Sequence, residues 1–170
     1  MSGAILGGPG DCYRYVLTRD VLVPDDGSPV PMLLWVMVNP STADATEDDH
    51  TIMKCLGFAN RWGFGRIAVV NLYAYRAKAV GVLSMVEDSV GPDNDRHISE
   101  QAASASSVMV AWGARKKMPL SGGKRIARVA ALLADAHPHP LQCLGVTQDG
   151  DPRHPLMPAY ATPRVEWPSR

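Results

Sequence analysis

The sequence lacks several features that would assign a protein to a class at once. Its 17 basic and 17 acidic residues cancel, so only a local patch could hold a polyanionic partner. No stretch approaches the roughly eighteen apolar residues of a membrane span. The start, MSGAILGGPGDC, has neither the basic end nor the long apolar run of a secretory signal. We therefore expect a cytoplasmic protein with no membrane partner.

Cysteine is scarce, and no internal repeat or low-complexity segment is present. Cys12, Cys55 and Cys143 form no Cys-x-x-Cys pair, which argues against a disulfide framework, a zinc site or an iron–sulfur cluster. We expect neither a metal nor a cofactor. A chain of 170 residues is long enough for one hydrophobic core and short for two. Residues 1–170 are therefore expected to form a single domain, which we expect to be a monomer.

Strand-like and helix-like patterns alternate along most of the chain. RYVLTR predicts an entry strand, and the core strands are predicted at MLLWVMV, RIAVVNLY, SVMVAWG and LQCLG. Helices are expected from Asp48 or Asp49 to about Trp62, after Asp93, and over GGKRIARVAALLADA. The tail from residue 146 has no clear period and is expected to be loop. The alternation predicts a three-layer α/β/α sandwich with a central, mainly parallel four-stranded sheet.

Ligands of such sheets bind beyond the carboxyl ends of the strands. The candidates there are Asn39 and Pro40, then Asn71, then Trp112, and finally the segment His154 to Leu156. Asparagine has two donors and an acceptor but no charge, so it can orient water or read a base edge. Pro40 restricts Asn39 to an extended conformation. The alternatives are that Asn39 caps a turn and that Trp112 belongs to the core.

Three groups of charged and aromatic residues provide further candidates. For Asp44, Asp48 and Asp49 three roles are open: they begin a helix, they hold a divalent metal, or one of their carboxylates acts as a general base. Arg76, with Tyr73 and Tyr75, either clamps a nucleotide or anchors a loop. A basic run either contacts DNA phosphates or forms a solvated helix face; it includes Arg115, Lys116, Lys117, Lys124 and Arg125.

The order of four short motifs resembles the uracil-DNA glycosylase superfamily. Strands ending in VNPS, VVNLY and VAWGA, followed by HPL, cover residues 32–158. The motifs NPSTAD, NLYAYRA, VGPDND, AWGA and PRHPL resemble more closely a family of short bacterial and phage proteins that is described only as a domain of unknown function.

The superfamily resemblance implies a role for each matching residue. Asn39 would position the attacking water, Asn71 would read the edge of the extruded base, and His154 would donate to the pyrimidine O2 as the N-glycosidic bond breaks. Leu156 or Met157 would fill the gap left in the base stack. Leu156 also stands where the superfamily has a serine, so the resemblance does not carry over the usual phosphate contact of this loop or the register of the wedge.

Ser41 departs from the superfamily pattern, because a small residue leaves space at C5 of the pyrimidine. The resemblance thus implies a monofunctional DNA glycosylase, acting in DNA repair or phage defence on a uracil-like, mismatched or 5-substituted pyrimidine in duplex or single-stranded DNA. Asp44 is a candidate for the base that Asn39 cannot be. No lysine lies in the motifs to form a Schiff base, so no strand cleavage is expected. The alternatives are a non-catalytic protein that binds a modified base or nucleotide, and a carboxylate- or metal-dependent nucleotide hydrolase.

Overall fold

In the computed structural model, residues 2–21, 28–41 and 48–168 are described. The strands within these ranges are β1 (Gly3–Gly7), β2 (Tyr13–Asp20), β3 (Met32–Met37), β4 (Arg66–Asn71), β5 (Ser107–Val110), β6 (Gln142–Cys143) and β7 (Val165–Glu166). The helices are α1 (His50–Arg61), α2 (Asn94–Ser104) and α3 (Gly122–Ala136). Short 3-10 turns cover Pro9–Asp11, Val80–Ser84 and Arg115–Lys117.

The strands of the described residues form one mixed sheet. Its order is β1-β2-β4-β3-β5-β6-β7. The pairings β3 with β4, β3 with β5 and β5 with β6 are parallel, whereas β1 with β2, β2 with β4 and β6 with β7 are antiparallel. The expectation of a mainly parallel four-stranded sheet is therefore wrong. Antiparallel strands extend the parallel part of the sheet at both of its edges.

The helices cover both faces of the sheet, because alternate side chains of each buried strand point to opposite sides. Leu33 and Trp35 of β3 pack with Ile52, Cys55 and Phe58 of α1. Leu34 and Val36 of the same strand pack on the other face, where the helical partners are Ile98 and Ala102 of α2 and Ile126, Val129 and Leu133 of α3. The fold is thus a mixed α/β architecture with helices on either side of the sheet.

Polar contacts near the starts of the helices cap α1 and attach α2 and α3 to the sheet. The Asp49 carboxylate accepts hydrogen bonds from the backbone N–H groups of Thr51 and Ile52, both at 2.9 Å, and so caps α1 as predicted. Arg125 of α3 is buried; it donates from Nε to Leu72 O at 2.6 Å and pairs with Asp95 of α2. α2 and α3 are thereby tied to the chain just beyond β4. Within the described ranges, no helix has the length and apolar character needed to cross a membrane.

Candidate functional site

A cavity of about 610 Å³ opens beyond the carboxyl ends of β3 and β5. Met37 and Val38 at the end of β3, Trp112 and Gly113 beyond β5, and Ile52 in the first turn of α1 form part of its wall. β3 and β5 are adjacent and parallel, so their carboxyl ends meet at one edge of the sheet. The cavity therefore lies in the crevice where α/β sheets bind their ligands.

Asn39 lines this cavity with its amide held in one orientation. Its Nδ2 donates to Ala77 O at 2.7 Å and to Pro40 O at 3.0 Å. The backbone N–H of Ala77 donates to Pro40 O in turn, at 3.1 Å. Because both N–H groups of the amide are engaged, Oδ1 is the atom that Asn39 can offer to a ligand or water, and it acts only as an acceptor.

His154 lines the same cavity from the loop that follows β6. The backbone N–H of Leu156 donates to its Nδ1 at 3.3 Å, which assigns the proton of the neutral ring to Nε2. Burial lowers the pKa of His154, and the positive charge of Lys117 acts in the same direction, against the opposing effect of Asp49. His154 is therefore neutral at pH 7 and offers an Nε2–H donor.

The loop that carries His154 is attached to the end of β5. Gly113 adopts φ +75°, a left-handed conformation that favours glycine, and its N–H donates to Pro152 O at 2.9 Å. Asp151, which is 1 % exposed, accepts from the backbone N–H of Arg115 at 2.8 Å and from its Nε at 2.7 Å. These contacts bring the His154 loop against the Trp112 side of the cavity.

Asn71 does not line the cavity. It pairs in register with Met37, so the two side chains share a face of the sheet, and Met37 is a lining residue. Asn71 is 1 % exposed, and neither Nδ2 nor Oδ1 of its amide has a hydrogen-bond partner among the described residues. A buried amide without a partner is costly. The structure thus brings Asn39 and His154 together and leaves Asn71 in the packed interior on the neighbouring strand.

The other residues predicted to bind substrate divide into two groups. Ser41, Trp112 and Met157 line the cavity. Four others do not line it: Pro40, Tyr73, Arg76 and Leu156. Pro40 and Tyr73 are buried, and Leu156 is 42 % exposed. Arg76 donates from Nη1 to Asp11 O at 3.4 Å. Asp44, predicted as a catalytic acid, lies outside the described residues.

The predicted DNA-backbone residues are also divided. Lys117 lines the cavity, while Lys116 and Lys124 are exposed outside it. Arg115 is half-exposed but its Nε is paired with Asp151. Arg125 cannot serve as predicted, because its guanidinium is buried between Asp95 and Leu72 O.

Several lining residues were not identified from the sequence. Arg14 at the start of β2, Lys78, Thr147 and Arg153 all face the cavity. Three of them come from irregular loops, where no periodicity predicts which side chains meet. Among the described residues, no three His, Cys, Asp or Glu side chains are grouped as they would be around a metal ion.

Residues 14–156 match the model of one protein family, described as a protein of unknown function (DUF1643). The chain belongs to the DUF1643 family. The match covers most of the chain and includes Asn39, Asn71 and His154. No curated protein and no solved structure gives a significant match. Membership in DUF1643 confirms the resemblance to a family of unknown function, while the resemblance to the uracil-DNA glycosylase superfamily stays a prediction.

Proposed function

We propose that this DUF1643 protein is a DNA glycosylase that hydrolyses the N-glycosidic bond of a pyrimidine nucleotide extruded into the cavity. The observation that carries the proposal is the presence of Asn39 and His154 in one cavity. Neighbouring groups fix the hydrogen-bonding role of each side chain. Asn39 presents an acceptor, and His154 presents a neutral N–H donor. Glycosidic cleavage needs both groups, an acceptor for water and a donor for the departing base.

In the proposed reaction, the Nε2–H of His154 donates to O2 of the pyrimidine. Negative charge collects on this oxygen as the C1′–N1 bond breaks, so a preorganised donor stabilises the transition state more than the ground state. Asn39 Oδ1 accepts a hydrogen bond from a water molecule that attacks C1′. Asn71 has no part in this reaction, because its side chain is buried and does not line the cavity.

The dimensions and the rim of the cavity favour an extruded nucleotide with a substituted base. A volume of about 610 Å³ lies within the range of roughly 300–1,000 Å³ typical of pockets for drug-sized ligands, and the small Ser41 leaves room beside Asn39. Lys78, Lys117 and Arg153 are exposed at the cavity and can face phosphates. Leu156 and Met157 are exposed apolar side chains next to His154, 42 % and 86 % exposed, and suit insertion into a base stack.

A second candidate is a protein that binds a modified base or nucleotide without cleaving it. The observation in its favour is the Asn39 side chain itself, which cannot take a proton from water. Such a protein would retain the cavity, the donor of His154 and the cationic rim.

The deciding experiment incubates the purified protein with duplex and single-stranded oligonucleotides that carry uracil, mispaired thymine or 5-hydroxymethylated pyrimidines, followed by hot alkali. Alkali-labile sites are expected with the wild type in the presence of EDTA, and they should disappear in Asn39→Ala and His154→Gln. Arg61→Gln, at the far end of α1 from the cavity, is the matched control and should cleave normally. Gel shifts without any cleavage would favour the binding protein, and activity abolished by EDTA would favour a metal-dependent hydrolase.

A further inference from the structure

The two proposed catalytic groups leave one proton of the attacking water unassigned. The amide of Asn39 cannot take it. His154 cannot take it either, since its Nδ1 already accepts from Leu156 N and its Nε2 carries the ring proton. A water that attacks C1′ must lose a proton, so a further acceptor is needed in the cavity.

Asp49 supplies the one carboxylate among the described residues that line the cavity. We propose that Asp49 is the general base of the reaction and takes the proton from the water that Asn39 orients. This inference rests on the proposed glycosylase function. The step is balanced: the water oxygen bonds to C1′, its proton passes to Asp49 Oδ2, and the electron pair of the C1′–N1 bond leaves with the base.

The local structure holds the Asp49 carboxylate rigidly while leaving one oxygen available. Both capping hydrogen bonds, from Thr51 N and Ile52 N, go to Oδ1 at 2.9 Å. Oδ2 has no hydrogen-bond partner among the described residues. A fixed, partly buried carboxylate also stabilises positive charge that develops on the sugar ring as the bond to the base breaks.

A neighbouring acid provides a contrast. Asp48 precedes Asp49 directly in the chain, yet its Oδ1 pairs with Arg19 Nε at 2.7 Å and it does not line the cavity. The position of Asp49 in the cavity therefore does not follow from a general excess of acid in this segment. Asp48 offers a matched control that differs from Asp49 by one position.

The test compares Asp49→Asn and Asp49→Ser with Asp48→Asn on the oligonucleotide that the wild type cleaves. Asparagine and serine both cap helices well, so the melting temperature should stay close to that of the wild type. We expect kcat to fall about a hundredfold or more in both Asp49 variants, the usual contribution of a general base, with KM changed by less than about threefold. Asp48→Asn should keep the wild-type kcat.

A comparison at one fixed pH separates a base from a helix cap. Asp49→Asn and Asp49→Ser keep a capping side chain and lose the carboxylate, so only a catalytic role of Asp49 predicts the loss of kcat. If Asp49→Asn retains kcat within threefold of the wild type, Asp49 is not the base. The inference is also overturned if Asp44→Asn abolishes cleavage and Asp49→Asn does not. A wild type that releases no base from any oligonucleotide refutes the glycosylase function itself.

A second measurement does not depend on activity. The imidazole of His154 can be titrated by NMR in the wild type and in Asp49→Asn. The Asp49 charge acts to raise the pKa of His154, so the pKa of His154 should fall when that charge is removed. An unchanged titration would show that the carboxylate does not face the cavity and would end the inference even if cleavage is observed.

Discussion

At the scale of single residues, Asn39 connects the end of β3 to the segment around Ala77. Its Nδ2 donates to Ala77 O and Pro40 O, so the side chain holds the wall of the cavity and presents Oδ1 at the same time. An aspartate at this position could not make these two bonds, because a carboxylate has no donor. The chemical identity of Asn39 is therefore constrained by structure as well as by the proposed role.

We predict that Asn39→Asp destabilises the protein and does not produce a faster enzyme. A carboxylate oxygen would face two carbonyl oxygens, which should lower the free energy of unfolding by about 2 kcal/mol at pH 7. Urea denaturation followed by tryptophan fluorescence measures this change. Asn60→Asp makes the same substitution at an exposed position of α1 and should cost no more than about 0.5 kcal/mol. Equal costs for the two variants would contradict the hydrogen-bonding account of Asn39.

The sequence predicted the presence of Asn39 and His154 at one crevice, because both follow strands of the parallel part of the sheet. It did not predict the burial of Asn71. Whether a strand-end side chain reaches the crevice depends on its strand as well as on its face. Asn71 shares the face of Met37 but lies on β4, one strand farther from β5, whereas the cavity opens beyond β3 and β5. For Asp49 the sequence predicted the helix cap, but only the packing of α1 against the sheet brings the same carboxylate to the cavity.

At the scale of secondary-structure elements, the loop that carries His154 depends on a buried acid. Asp151 is 1 % exposed, whereas its partner Arg115 is more than half exposed. The charge of Asp151 is compensated by the Arg115 guanidinium and by one backbone N–H. Arg115 therefore stabilises the loop whether or not it also contacts DNA.

We predict that Arg115→Met lowers the free energy of unfolding by about 3 kcal/mol, the typical cost of leaving a buried charge without its partner. Lys116→Met, at the next residue along the same exposed turn, should change it by less than about 0.5 kcal/mol. Chemical denaturation of both variants provides the comparison. Adding Asp151→Asn to Arg115→Met should recover part of the loss, since no buried charge then remains. If Arg115→Met is as stable as Lys116→Met, the pair does not hold the loop.

The strands and helices with a clear period were predicted well, and the edges of the sheet were not. α3 begins and ends where its apolar spacing predicted, over Gly122–Ala136. β1 has the short sequence GAILG, and β7 has two residues, Val165–Glu166. Such segments show no alternation from which a strand could be recognised, and they are strands because β2 and β6 pair with them. The mixed character of the sheet follows from these tertiary pairings.

At the scale of the whole molecule, partly or fully buried histidines couple folding to pH. Burial lowers the pKa of His97, His137 and His154. Each of these groups binds a proton more readily in the unfolded chain than in the native protein. Between their lowered native values and the ordinary value near 6.5, the unfolded state therefore carries more protons.

We predict that the free energy of unfolding decreases as the pH falls below about 6.5, well above the range in which carboxylates titrate. Asp20 and Asp95 also have lowered pKa values. The burial of Asp95 acts to raise its pKa, but the hydrogen bonds from Arg125 and Arg128 outweigh this effect. The stability that these two carboxylates contribute is lost only below about pH 4. Urea titrations at pH 7.5, 6.5 and 5.5 test the window, and His137→Gln should flatten the slope. A free energy that stays constant from pH 7.5 to 5.5 would refute the assignment.

The formal net charge of the molecule is zero, so any affinity for DNA must come from where its charges lie. Lys78, Lys117 and Arg153 are exposed at the cavity. Arg61 is exposed at the C-terminal end of α1, and the cavity lies at the other end of that helix. If an extruded nucleotide enters the cavity, its flanking phosphates must lie near Lys78, Lys117 and Arg153. They would not come near Arg61.

We predict that the triple variant Lys78→Gln, Lys117→Gln, Arg153→Gln binds duplex DNA more weakly and with a smaller salt dependence. Each lost phosphate contact removes about 0.9 from the slope of log K against log salt concentration, so the slope should fall by more than 1. Fluorescence anisotropy at several salt concentrations measures it, with Arg61→Gln as the control of unchanged slope. Lys124→Gln, on the exposed face of α3, tests whether the DNA contact extends beyond the cavity. Equal slopes in the wild type and the triple variant would mean that DNA phosphates do not meet the protein at this cavity, and the extruded-base mechanism would then lose the surface it requires.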